Sequence, residues 1–167
     1  MREAAAQKSV SEDKDPYPER KQTYHYAPYR FDSALELDYF RHLLAYLKSM
    51  PNVRAYFNGD DTVTGFRIRC YKKNGDHWCN IGVYVPDFVV LRKNDDGTVD
   101  RILIVETKGA HLRERFADRR KFMEQVFTQK NSDAFHCEKF RFLYLEDSES
   151  EADRTRRTID ELRNYFD

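Results

Sequence analysis

A chain of 167 residues, 40% of them hydrophobic and with 12 Phe and 11 Tyr to supply bulk, suits one domain with a sizeable core. Its 29 basic residues balance its 29 acidic ones, so no global positive excess draws it nonspecifically to DNA. No run reaches the ~18 apolar residues of a membrane span and no signal-peptide stretch opens the chain, so a soluble, cytoplasmic protein is expected.

Residues 1–23 carry five basic and five acidic residues, two prolines and almost no large apolar side chain, which predicts a disordered tail or linker before a domain over 24–167. Tyr24, Tyr26 and Tyr29 open a Tyr-rich stretch, whose rings are expected to dock on the domain's own surface rather than stack on bases. A helix is predicted over about 33–48, with Leu35, Tyr39, Leu43, Tyr46 and Leu47 at helical spacing and Pro51 just beyond. Residues 53–92 read as a meander of three strands, interrupted at Asn58-Gly59-Asp60-Asp61 and at Asn74-Gly75-Asp76. The segment Asn94-Asp95-Asp96-Gly97-Thr98 has hairpin chemistry and leads into a strand over 99–107. A helix near 111–129, a strand over 139–145 and a final helix over about 151–165 complete the order. The fold class is therefore α/β (mixed α+β), a mixed sheet flanked by helices, with the runs 102–105 and 140–145 buried on both faces.

The sharpest chemical signal lies in two aliphatic runs. Ile81-Gly82-Val83-Tyr84-Val85-Pro86-Asp87-Phe88-Val89-Val90-Leu91 ends with an acid inside it, and Ile102-Leu103-Ile104-Val105-Glu106-Thr107-Lys108-Gly109 holds another acid and a lysine. An isolated carboxylate buried there would lose several kcal/mol of hydration. In a strand, residues two apart face the same way, so Glu106 and Lys108 share one space. The predicted hairpin brings Asp87 beside Glu106 at the end away from the turn. Two acids and a lysine so placed suggest a divalent cation, and Mg²⁺ suits one or two carboxylates plus a phosphate. Lys108 is then positioned to orient water or to offset charge developing on phosphate.

This Pro-Asp…Glu-Xaa-Lys pattern resembles the PD-(D/E)XK nuclease superfamily. The wider stretches, 84–90 and 104–109, together with Ser33-Ala34-Leu35-Glu36 and Val53-Arg54-Ala55-Tyr56-Phe57-Asn58, look like the C-terminal endonuclease domain of type III restriction enzyme Res subunits, over roughly residues 31–146. The resemblance implies a restriction-endonuclease-like core and a metal-dependent endodeoxyribonuclease. It implies Mg²⁺ (Mn²⁺ substituting) on Asp87, Glu106 and the backbone carbonyl of Thr107, with Lys108 assisting the attacking water. An acid on the first helix commonly completes such sites. Glu36 is that candidate, although Ser33 and Glu36 also fit a capping box, and Asp38 is a weaker choice. The motor's phosphate-binding loop, GxxxxGK[ST], does not occur. The expectation is a domain detached from a helicase–nuclease, or a free-standing relative that borrows its DNA specificity elsewhere, with DNA, a helicase or translocase motor and a second copy of the chain as the candidate partners. The alternative is a catalytically silent DNA-binding or assembly module.

Six basic residues against two acids follow the motif between Lys108 and Lys121, and Arg113, Arg119, Arg120 and Lys121 are candidate phosphate contacts. Gln125, further along, is expected on a solvated helix face. Five histidines (His25, His42, His77, His111, His136) show no paired ligand spacing. Cys70, Cys79 and Cys137 lack CxxC spacing and are expected as reduced, buried thiols.

Overall fold

The computed structural model describes residues 8–9, 23, 30–31, 33–59 and 65–167. Most of the polar leader, the Tyr-rich stretch 24–29 and Asp60-Asp61 therefore lie outside the described residues. Two short strands, β1 (Lys8–Ser9) and β2 (Arg30–Phe31), pair antiparallel. Ser33 then caps α1 (Ala34–Leu47), its hydroxyl accepting from the Glu36 amide at 3.2 Å and so satisfying one of the helix's open N–H groups. The helix buries Leu37, Phe40, Leu44 and Leu47 on one stripe, flanked by Tyr39 and Leu43.

The segment expected as a three-stranded meander holds four strands, and they do not pair in chain order. These are β3 (Val53–Phe57), β4 (Ile68–Asn74), β5 (His77–Tyr84) and β6 (Phe88–Lys93). β3 pairs antiparallel with β6, while β4 and β5 form a separate hairpin. The apolar run 81–91 is cut at Pro86 because proline gives a ladder no N–H and restricts the residue before it. The chain leaves one sheet and enters another at that point, and Asp87 sits at the junction.

The turn after β6 matches its sequence. Gly97 adopts φ 83° and the Asp96 carboxylate accepts the Thr98 amide at 2.8 Å, returning the chain antiparallel as β7 (Val99–Lys108). Strand β8 (Phe140–Glu146) joins β7 in parallel, which demands a long crossover. That crossover is a 3-10 turn (Ala110–Leu112), α2 (Arg113–Phe122), a π-helical stretch (Met123–Phe127) and α3 (Thr128–Phe135). The helix expected near 111–129 thus runs on to Phe135, since Phe127 and Phe135 both pack on Phe140. Ser150 caps α4 (Glu151–Phe166), accepting from Asp153 at 3.1 Å.

The result is a mixed four-stranded sheet in the order β3-β6-β7-β8, with helices on both faces. Strand alternation assigns the layers. Leu103 and Val105 face α1 and α4, in a core that includes Phe40, Phe88, Leu145 and Tyr165. Ile104 faces the opposite way, toward Phe116, Met123 and the hairpin's Ile68, Cys70 and Tyr84. Glu106, two residues on, shares that second face. Of the cysteines only Cys70 is buried, and burial pushes its thiol up to about 11. Cys79 and Cys137 are exposed, because one lies on the outer hairpin and the other in the turn after α3. Among the described residues no helix is long and apolar enough to cross a membrane.

Candidate active site

Antiparallel pairing sets Phe88 opposite Val105, so Asp87 and Glu106 meet at the sheet end away from the hairpin turn, as their spacing predicts. Both acids are buried, Asp87 at 7% exposure and Glu106 at 1%. Each carboxylate has one oxygen held by protein donors. The Thr107 amide and hydroxyl donate to Asp87 Oδ2 at 2.8 and 3.0 Å. The Tyr84 hydroxyl donates to Glu106 Oε2 at 2.6 Å, and the Asp87 amide reaches the same oxygen at 3.3 Å. The other two oxygens face one cation. Lys108 Nζ lies 3.7 Å from Asp87 Oδ1 and is ion-paired with Glu106 Oε1. The Lys108 ammonium also sits 5.6 Å from the centre of the Phe116 ring.

The electrostatics follow from two negative charges sharing one positive charge in a dry corner. Burial, then the neighbouring Asp87 charge, pushes Glu106 up to about 8, and the Lys108 and Tyr84 contacts only partly counter this. Burial likewise raises Asp87, opposed by Lys108 and the Thr107 hydrogen bonds. Burial alone would discharge Lys108, yet Asp87 and Glu106 outweigh it and hold the ammonium charged. Glu106 Oε1 is buried, and the partner it meets is the Lys108 ammonium. Two buried carboxylate oxygens that share a single ammonium are a donor set that fits a hard divalent cation. Among the described residues no cluster of three or more His, Cys, Asp or Glu is arranged to hold a metal, so such a cation would rest on Asp87, Glu106 and backbone or water oxygens.

Three supporting residues escape sequence reasoning. Tyr84 ends β5 on the inserted hairpin, and its ring packs edge-on to Phe116 and Phe142 while its hydroxyl fixes Glu106. A Tyr84→Phe protein is expected to lose about 0.5–1.5 kcal/mol of stability, the net worth of one hydrogen bond where the Asp87 amide still reaches the same oxygen, which urea unfolding would measure. Asn58 is buried, donates through Nδ2 to the Pro86 carbonyl at 3.0 Å and through its amide to the Asp87 carbonyl at 2.7 Å, and so fixes the Pro-Asp junction. The signal for Asn58 was present as a strand-terminal Asn, but Asn reads as a turn former.

Glu146 is the third. It stands opposite Lys108 in the parallel register and is buried, locked by the Arg113 guanidinium at 2.8 Å from Oε1 and by Ser148. The Arg113 hydrogen bonds hold its carboxyl down at about 2. A depressed carboxylate contributes stability above its ordinary 4.5 and loses it as pH falls toward about 2. The urea-midpoint gap between wild type and Arg113→Ala is therefore expected to be full at pH 7 and to narrow by about pH 3.

The remaining candidates divide. Glu36 is half-buried in the first turn of α1; its carboxyl accepts from the Ser33 hydroxyl at 3.0 Å, and its charge helps hold Lys108 protonated. Asp38 is exposed and faces a small cavity shared with His42 and Glu151. Thr107 is seen to act through its amide and hydroxyl, toward Asp87. Arg113 is engaged by Glu146, and Arg120 by Glu124 at 2.7 Å with its guanidinium 4.2 Å over the Tyr144 ring. Arg119 packs behind the hairpin, where Gly82 (φ 109°) leaves room for it, and Lys121 and Gln125 are exposed. No protein-family model, curated protein or solved structure matches the chain.

Proposed function

We propose that this chain is a Mg²⁺-dependent endonuclease domain of the PD-(D/E)XK type that hydrolyses DNA phosphodiester bonds, as part of or partner to a type III restriction-like helicase–nuclease. The observation that carries the reading is the division of labour at Asp87 and Glu106. One oxygen of each is tied to Thr107 or Tyr84, and the other is turned to Lys108. A purely structural ion pair has no need of a second buried acid, whose carboxyl is pushed up to about 8 because one ammonium does not compensate two carboxylates.

Mg²⁺ would rest on Asp87, Glu106 and the Thr107 carbonyl, with Glu36 in support; bound there it supplies Lewis acidity and a water more easily deprotonated. The chain's own groups do the rest. Lys108 orients the attacking water and offsets charge building on the phosphate. Tyr84 and the Asp87 amide keep Glu106 from rotating, and Thr107 does the same for Asp87. Exposed cations on α2, Lys121 among them, attract the phosphates of the strand. A cytoplasmic setting and action as a homodimer, which would cut both strands, belong to the same proposal.

The test is plasmid cleavage by purified protein in Mg²⁺, Mn²⁺ or EDTA, beside Asp87→Ala and Lys108→Ala. Metal-dependent nicking that both substitutions abolish supports the reading. Tight DNA binding without turnover in either metal would instead favour the silent binding module.

A further inference from the structure

The hairpin β4–β5 reaches well beyond the acid site. Tyr84 at its base fixes Glu106, while Trp78 lies six residues up the same strand, about 20 Å away at ~3.3 Å per residue. There an open cavity of about 360 Å³ forms between the hairpin and the helical crossover, walled by Tyr71, Trp78, Phe122, Val126 and Phe127. Four of these five walls are flat rings. Trp78 is 49% exposed, which is a poor use of the chain's single tryptophan unless something covers it.

The polar groups at this cavity are Lys130 and Asn131. The Asn131 amide donates to the Phe127 carbonyl at 2.8 Å, which fixes the orientation of its remaining donor and acceptor. That carbonyl belongs to the π-helical stretch Met123–Phe127, and π turns recur at binding sites. The hairpin around the cavity is basic. Arg69, Lys72 and Lys73 stand exposed against Asp76, with Lys72 also bridging to Asp118 on α2 at 2.9 Å.

We propose that this cavity takes an unstacked base of a DNA strand whose phosphates run along the hairpin's cations toward the acid site. The inference rests on the nucleic-acid reading above and adds where a base is held. Rings stack on a base's faces without regard to its identity, Asn131 meets its polar edge, and Lys130 and Lys73 meet phosphate. An apolar protein segment would fit the rings but gains nothing from the surrounding positive charge.

Trp78 itself is the probe. In EDTA, so that no cleavage intervenes, a short single-stranded oligonucleotide is expected to quench its fluorescence, and an abasic strand of equal length and charge to leave it unchanged. By anisotropy of labelled strands, Trp78→Ala is expected to bind the base-bearing strand about tenfold more weakly, with Trp78→Phe restoring most of the loss and neither changing affinity for the abasic strand. Equal affinity for the two strands, or quenching by an apolar peptide and not by DNA, overturns the proposal. Asp87→Ala separates it from the nuclease reading. Base-dependent quenching in a protein that never cleaves keeps the pocket and removes the nuclease, and cleavage without base-dependent quenching does the reverse.

Discussion

Asp87→Ala and Lys108→Ala proteins are expected to lose about a hundredfold to a thousandfold in Mg²⁺-dependent DNA cleavage, the scale on which single electrostatic contributors to a transition state act, yet to differ sharply in stability. Asp87→Ala leaves the Thr107 amide and hydroxyl without their acceptor, a loss of about 1–3 kcal/mol. It also leaves Glu106 and Lys108 as a balanced pair, which recovers part of that loss. Lys108→Ala does the opposite, since it takes from the buried Asp87 carboxylate the cation that opposes its burial. Removing one partner of a buried ion pair costs roughly 3–5 kcal/mol. The metal-free melting order is therefore wild type, then Asp87→Ala close below it, then Lys108→Ala. Added Mg²⁺ should reverse part of this order, because in Lys108→Ala a divalent cation has no ammonium to displace. A ligand at a hundred times its dissociation constant adds ~2.7 kcal/mol, so the rise is readable by thermal melting. Equal cleavage by all three proteins would sink the nuclease reading, and an equal Mg²⁺ shift in all three would remove the cation from this corner.

Much of this arrangement is legible in the sequence, for local reasons. Ser33 and Glu36 announce a helix start because an N-terminal amide needs an acceptor, and Asp96-Gly97 announces a turn because glycine alone takes φ 83° without strain. Two-residue alternation places Glu106 and Lys108 together, and the hairpin register brings Asp87 to them. What resists reading depends on distant partners. The run 81–91 looks like one strand because its residues are uniformly apolar, yet it serves two sheets, and only the pairing of β3 with β6 shows the break at Pro86. Tyr84 has no local mark as a ligand to Glu106, because that contact needs the inserted hairpin folded over the second face. Within the basic run from Arg113 to Lys121, Arg113 meets Glu146 and Arg120 meets Glu124 and the Tyr144 ring, partners that lie far along the chain or one helical turn on and that the run itself does not announce.

Glu106→Gln should abolish cleavage while making the metal-free protein more stable at alkaline pH. The Glu106 carboxyl is pushed up to about 8 from an ordinary 4.5. A group raised on folding contributes its full stability below its unfolded value and loses it as pH rises through the folded one. Wild-type stability should therefore fall between about pH 4.5 and 8, where the folded protein holds a proton that the unfolded chain has released. Each pH unit is worth about 1.36 kcal/mol, so carrying the buried charge costs on the order of 5 kcal/mol. The glutamine keeps the side chain's shape and still accepts from Tyr84, but it has no charge to desolvate. Urea unfolding at pH 5 should show the two proteins nearly alike; at pH 8.5 the variant should exceed wild type by a few kcal/mol, less whatever its amide loses against Lys108. Mg²⁺ should flatten the wild-type slope and leave the variant's unchanged, because a cation at this corner favours the carboxylate that burial disfavours. A wild-type protein whose stability rises over the same pH range would mean that the chain already compensates this charge without a metal, and the main physical reason for placing one there would be gone.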